Sequence, residues 1–151
     1  ESLTGGGVAQ LLTDISGASD VYLGGAVTYQ AGSKYQLTDV PEEMMKTHGT
    51  VDAQVAKAMA RGIRLRLGAD WAVSTTGVAG PGDFEGHPAG TLYVGVSSPA
   101  GGRAFKVGLT GQMADDRARV RRASAAHALD LLRRCLAGLP LGMKASFITE
   151  E

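Results

Sequence analysis

Apolar positions along the chain fall into two periods, and the change of period marks the elements. From Val51 to Leu67 the residues Val51, Val55, Met59, Ile63 and Leu67 recur every fourth position, which predicts an amphipathic helix capped by Gly68. Arg61, Arg64 and Arg66 cluster towards its C-terminal end, where the helix dipole favours cations, and read as a solvated face. A second stripe, Val120, Ala123, His127, Leu131 and Cys135, predicts a long helix over Ala114 to Leu136. Between the two helices the period drops. Ala69 to Thr76 reads as a buried strand, and Gly90 to Ser98 with Arg103 to Leu109 as a hairpin turning at Pro99 to Gly102.

Upstream of these, Val8, Leu11 and Leu12 predict a short helix with Thr4 as its N-cap. Val21 to Tyr29 is rich in β-branched and aromatic residues around two glycines, which predicts a strand. Ser33 to Val40 reads as one helical turn and a loop, and Pro41-Glu42-Glu43 opens another short helix that His48-Gly49 closes. The segment from Leu139 onward has no clear period and reads as a loose tail. Together these elements predict the α/β class: a single-domain mixed sheet flanked by helices, with no internal repeat.

Length and charge narrow the class of function. At 151 residues the chain suits one domain, and 15 basic against 15 acidic residues leave no global field to draw in nucleic acid or a membrane surface. Any anion site is therefore local. The 22 glycines point to turns and close backbone approaches, while an apolar fraction of 44% argues against disorder. Cys135, the only cysteine, cannot form an internal disulfide; on its helical stripe it reads as a small hydrophobe, which fits a reducing cytoplasm. No apolar run reaches membrane-spanning length, and the first residues lack the pattern of a signal peptide. His48 and His87 have no Cys or carboxylate at ligand spacing, and no metal or other cofactor is expected.

Candidate chemistry centres on Ser16 to Lys34. Ser19, Tyr29 and Lys34 surround the predicted strand, and a neutral lysine can take the proton of a serine hydroxyl while a phenol relays or orients it. Spacing alone favours a surface serine, a half-buried tyrosine and a solvated lysine. Anion binding has several candidates. Thr4, Gly5 and Gly6 lie at a helix start, and Thr75, Thr76 and Gly77 end a strand at the glycine-rich loop Gly77 to Gly82. Arg117 and Arg121 sit one turn apart near a helix start, where the dipole opposes them, so that either an anion or the neighbouring Asp115 and Asp116 would balance them. The loop lacks the Gly-Lys-Ser/Thr ending of a triphosphate-binding P-loop, and Tyr29-x4-Lys34 differs from the Tyr-x3-Lys of short-chain dehydrogenases.

An ordered set of motifs is more specific. Glu1-Ser-Leu-Thr-Gly-Gly6, Gly17-Ala-Ser19, Tyr29-x4-Lys34, Thr76-Gly-Val-Ala-Gly-Pro81, Pro88-Ala-Gly-Thr91 and Asp116-Arg117-x2-Val120-Arg121 together resemble the CinA C-terminal domain family, from residue 1 to about 137. The resemblance implies an α/β fold over residues 1–137, with 138–151 as a tail. It also implies a helix and a strand ahead of Glu1, so that the sheet is expected to be one strand short. The implied activity is nicotinamide mononucleotide deamidation: Ser19 as nucleophile, Lys34 as general base, Tyr29 as relay or orienting hydroxyl, and backbone N–H groups near Ser19 as oxyanion donors. Thr4, Gly5, Gly6, Thr76, Gly77, Arg117 and Arg121 are the substrate-binding set, with Arg117 preferred for the phosphate. The expected partner is a small-molecule pyridine mononucleotide, with homo-oligomerisation left open. Two other readings stand beside this one: a non-catalytic nucleotide-binding or assembly module, and an amidase for another small amide.

Overall fold

In the computed structural model, which describes residues 1–140 and 148–151, the elements form one α/β domain. Four strands, β1 (Ala72–Gly77), β2 (Thr91–Ser98), β3 (Gly101–Gly108) and β4 (Ile148–Glu150), lie in the order β1-β2-β3-β4. Every pairing is antiparallel. The sheet was expected to be mixed. Among the described residues it contains no parallel pair: β1–β2 and β2–β3 are joined without an intervening helix, and the longer β3–β4 connection, which includes the helix Arg117–Ala137, also brings the chain back antiparallel.

Helix α4 (Ala53–Leu67) covers one face of the sheet, and α5 (Arg117–Ala137) covers the other with α1 (Gly7–Thr13) beside it. Alternation along the strands sorts the side chains between these layers. Leu92, Val94, Val96, Phe105 and Val107 join Val120, Ala125, Ala128 and Leu131 in the main core, whereas Tyr93 and Ala104 face Val51, Ala53 and Ala56. β2 is therefore buried along its whole length. Both long helices are capped at each end, Gly68 being the cap expected from the sequence. The Asp52 carboxylate accepts from Gln54 N–H and the Asp116 carboxylate from Ala118 and Arg119 N–H, while Gly68 and Gly138 end the helices in the left-handed conformation.

On its outer side α4 carries α2 (Ala31–Thr38) and α3 (Glu42–His48), with Val40, Val55 and Met59 buried between them. Two glycines permit these close layers. A Cβ on Gly95 of β2 would overlap the Ala56 carbonyl of α4, and one on Gly62 of α4 would overlap the Thr38 carbonyl of α2. So α4 settles on the sheet through Gly95, and α2 settles on α4 through Gly62.

Three expectations change. Val21 to Tyr29 forms no strand: its burial alternates as a strand's would, but it belongs to no ladder, and its backbone meets Glu1 instead, Thr28 N–H donating to the Glu1 carbonyl and the Ala26 carbonyl accepting from the Glu1 nitrogen, each at 2.7 Å. Helix α2 is longer than one turn and starts before Lys34, because Gln30 and Ser33 form a reciprocal capping box. Within the segment read as loose, Ile148–Glu150 adds an edge strand to β3, and Arg103 grips the Glu150 carboxylate with two bonds of 2.7 and 2.8 Å. Residues 141–147 of that segment lie outside the described residues.

Candidate active site

The site is built around a buried lysine. Helix α2 carries Lys34 inward until the side chain is 1% exposed. Its Nζ donates to the Thr28 carbonyl at 2.8 Å and to Ser2 Oγ at 3.1 Å. Both partners are neutral, so nothing in direct contact compensates for the lost hydration of an ammonium group. Burial brings the Lys34 pKa down from 10.5 to about 8, with the Glu85 carboxylate pulling the other way. A fraction of this amine is therefore neutral near pH 7.

The serine at this lysine is Ser2, not Ser19. Ser19 lies exposed in a short 3₁₀ turn, Ala18–Asp20, and the adjacent Asp20 lines a different cavity. Backbone donors of that turn are spent locally, Asp20 N–H on the Gly17 carbonyl and Val21 N–H on the Ala18 carbonyl, so they hold no oxyanion at Lys34. Ser2, by contrast, is fixed from several sides. Its N–H donates to the Thr75 carbonyl of β1 at 2.9 Å, and its own carbonyl accepts from Gly5 N–H at 3.0 Å.

The turn behind Ser2 explains why part of the expected anion site is unavailable. At the start of α1 the Glu1 carboxylate accepts from Gly6, Val8 and Ala9 N–H at 2.8 to 3.1 Å and from the Thr4 hydroxyl at 2.6 Å. Burial works to raise the Glu1 carboxyl, but the Thr4, Val8 and Ala9 bonds outweigh it and hold it below its ordinary value. An internal carboxylate thus takes the place a phosphate would need. Thr4 is not the N-cap either; Gly6 is, with a positive φ, and the Thr4 hydroxyl pairs with Thr75 Oγ1 at 2.8 Å. Thr4, Gly5 and Gly6 support Ser2 from behind and do not line its cavity.

Arg121 is committed in the same way. It donates through Nε to the Leu3 carbonyl and through Nη2 to the Thr4 carbonyl, each at 3.1 Å, and so clamps the Ser2 turn onto α5. Arg117, one turn earlier, reaches the cavity instead. Its Nη1 donates to the Gly80 carbonyl and its Nη2 to the Tyr29 hydroxyl, both at 2.6 Å.

A cavity of about 610 Å³ opens in front of these groups, with Ser2, Tyr29, Lys34, Thr76, Gly77 and Arg117 in its wall. The loop after β1 closes one side. Thr76 Oγ1 donates to the Thr50 carbonyl at 2.7 Å, tying the end of β1 to the turn before α4. Of the residues expected from the sequence, the structure gathers Tyr29, Lys34, Thr76, Gly77 and Arg117 at this cavity and leaves Ser19, Thr4, Gly5, Gly6 and Arg121 outside its wall. Sequence reasoning missed Ser2, although it stands in the first quoted motif, and missed Glu85. A second cavity of about 660 Å³, walled by Val8, Leu12, Met59, Trp71 and Leu132 among others, brings no lysine to a hydroxyl. Among the described residues no group of His, Cys, Asp or Glu is arranged to hold a metal ion, and no helix is long and apolar enough to cross a membrane. The Cys135 thiol packs partly buried against the main core.

A family model described as the CinA C-terminal domain matches residues 1–136. The chain belongs to the CinA C-terminal domain family. A CinA-like protein of Frankia casuarinae is 46% identical over 140 residues, 93% of this chain and 31% of that protein. A CinA-like protein of Synechococcus elongatus is 46% identical over 92% of this chain and 33% of its own length. The chain therefore spans about a third of the curated relatives it matches. Among solved structures, competence damage-inducible protein A of Klebsiella pneumoniae superposes with a TM-score of 0.84 at 29% identity, covering 90% of this chain and 83% of that one. A competence/damage inducible protein of Agrobacterium tumefaciens gives 0.81 at 34% identity, covering 87% and 79%. This CinA-type domain thus has its fold supported by both sequence and structure.

Proposed function

We propose that this CinA-type domain hydrolyses the carboxamide of nicotinamide mononucleotide to the carboxylate and ammonia, with Ser2 as nucleophile and Lys34 as base. The observation that carries this reading is the buried Lys34 amine, 3.1 Å from Ser2 Oγ at the wall of a cavity that also holds Arg117.

The neutral amine accepts the hydroxyl proton as Ser2 Oγ bonds to the carboxamide carbon. The Lys34 ammonium then passes that proton to the departing nitrogen as the C–N bond breaks, which leaves an acyl-serine and ammonia. Water, deprotonated by the same amine, attacks the ester, and the proton returns to Ser2 as the carboxylate leaves. The Thr28 carbonyl keeps Nζ aimed at Ser2 in both protonation states. A pyridinium ring in the cavity would further disfavour the ammonium form, so substrate helps to activate its own base. Arg117 offers its remaining guanidinium donors to the phosphate while Tyr29 orients it.

The test is ammonia release from nicotinamide mononucleotide, the riboside and nicotinamide side by side. Release from the mononucleotide above the other two supports the reading. Binding of mononucleotide without release would favour the non-catalytic module instead, and preference for an amide lacking phosphate would favour another amidase. Because the base acts when neutral, kcat/KM is expected to rise with pH through about 8, following the titration of Lys34 in the free enzyme, with the kcat profile displaced to lower pH by the bound pyridinium. A rate that is flat from pH 6 to 9 would remove Lys34 from that role.

The two arginines should separate kinetically. Arg117→Ala is expected to raise KM for the mononucleotide roughly 10- to 100-fold, the value of one or two charge-assisted bonds, with little change for the riboside. Arg121→Ala should lower thermal stability by about 1–3 kcal/mol and depress kcat more than it raises KM, because it frees the turn that holds Ser2. Equal KM effects from both variants would mean that Arg121 also meets the phosphate.

A further inference from the structure

The loop beyond the glycine-rich stretch carries a second device, built on Glu85. Phe84 and His87 exchange backbone bonds of 2.9 Å in each direction, so that Glu85 and Gly86 form a two-residue hairpin turn. Both central residues have positive φ, 50° for Glu85 and 76° for Gly86. Such turns favour Asn, Asp or Gly at the first position, where a glutamate is strained. The carboxylate at this position is fully used. Glu85 Oε2 accepts from Thr50 N–H at 2.6 Å and Val51 N–H at 3.1 Å, and Oε1 accepts from the Thr50 hydroxyl at 3.0 Å. Room for it depends on Gly49, since a Cβ there would stand 2.6 Å from Oε2.

Thr50 then passes the connection on, because its carbonyl accepts from the Thr76 hydroxyl. Loop, turn and strand end are joined in one chain of bonds, and Thr50, Val51, Thr76 and Glu85 all line the cavity that holds Ser2 and Lys34. The charge of Glu85 also acts on the Lys34 amine. Other titratable or charged groups around that amine are Asp83 from the same loop, Arg117 of α5 and Tyr29 ahead of α2. Arg66 of α4 is held at the surface by Asp39.

We propose that Glu85 is a positioning residue of this cavity, whose carboxylate locks the hairpin 84–87 onto the turn before α4 and presents its negative charge to the Lys34 amine. The proposal rests on reading the cavity as a lysine-dependent hydrolytic site. Its consequence is functional: in the empty site Glu85 favours the protonated lysine and an electrically balanced cavity, and a cationic ring arriving there takes over the attraction to Glu85 and releases the amine to act as base.

The experiment follows the Lys34 side chain by NMR in protein labelled at lysine Cε, with the signal assigned by its loss in Lys34→Arg. Parent, Glu85→Gln and Glu85→Ala are titrated, and the pH profile of ammonia release is measured beside them. Glu85→Gln retains one oxygen that can accept from both the Thr50 and Val51 N–H groups, but not the charge. The Lys34 titration is expected to move down by about half a pH unit in both variants, with the acid limb of kcat/KM moving alongside. In Glu85→Ala the loop is also released, so backbone amides of 83–87 should exchange at least about tenfold faster and KM should rise several-fold. A Lys34 titration unchanged in both variants overturns the charge role, and unchanged exchange in Glu85→Ala overturns the lock. If the lysine signal moves as expected while even the parent releases no ammonia, the Glu85 assignment stands and the deamidase reading falls.

Discussion

Ser2→Ala is expected to lower kcat for ammonia release by at least about a thousandfold, while Ser19→Ala keeps it within about twofold of the parent. The contrast follows from contact. Ser2 Oγ is the hydroxyl bonded to the Lys34 amine, and its backbone is tied to β1 through Thr75. Ser19 is exposed in a separate turn. Removing Ser2 Oγ takes away only one buried bond, so the variant should melt within a few degrees of the parent and still bind mononucleotide. Ammonia assays with calorimetry on the same samples check both halves. A large loss with Ser19→Ala and none with Ser2→Ala would reverse the assignment and require a rearranged site.

Gly62→Ala should destabilise the domain by about 2–4 kcal/mol and lower Tm by roughly 5–12 °C, despite replacing a glycine within a helix by the best helix former. Two effects compete. Intrinsic propensity favours alanine by about 1 kcal/mol. Against that, the new Cβ would overlap the Thr38 carbonyl and stand 2.9 Å from Thr38 Cα, all of it backbone that cannot rotate away. Helix α2 must therefore shift, and the Thr38 hydroxyl is bonded to the Lys34 carbonyl one turn earlier at 2.6 Å. The displacement reaches the Lys34 amine, so on the proposed mechanism kcat should fall well beyond any fraction unfolded. Thermal melts and single-turnover assays at a temperature where the variant is folded would test this. A stability gain would mean that α2 moves freely and that the close packing constrains nothing.

The predictions differ in where their information comes from. Helices α4 and α5 and the β2–β3 hairpin were readable in the sequence because their signals are local: a four-residue apolar repeat, Gly68 at a helix end, and alternation around Pro99 to Gly102. The α/β class followed from those elements, as did the cavity positions of Tyr29, Lys34, Thr76, Gly77 and Arg117 from the ordered motifs. Val21 to Tyr29 has the composition of a strand but lacks the pairing that would make it one, and composition cannot supply a neighbour. Local anion chemistry misled in a similar way. The start of α1 does bind a carboxylate, yet it is that of Glu1.

What the sequence determined by itself, then, was periodicity, capping and the residue types available for chemistry, since each depends on neighbours within a few positions. Tertiary structure alone decided which serine meets the lysine, which arginine faces the cavity and which carboxylate is tied to the turn before α4. Those pairings join Lys34 to Ser2, Arg117 to Tyr29 and Glu85 to Thr50 across 32, 88 and 35 positions. At such separations the backbone path between two residues carries no fixed geometry, and only the packing of α4 and α5 against the sheet, with α2 on the outer side of α4, brings their side chains within bonding distance.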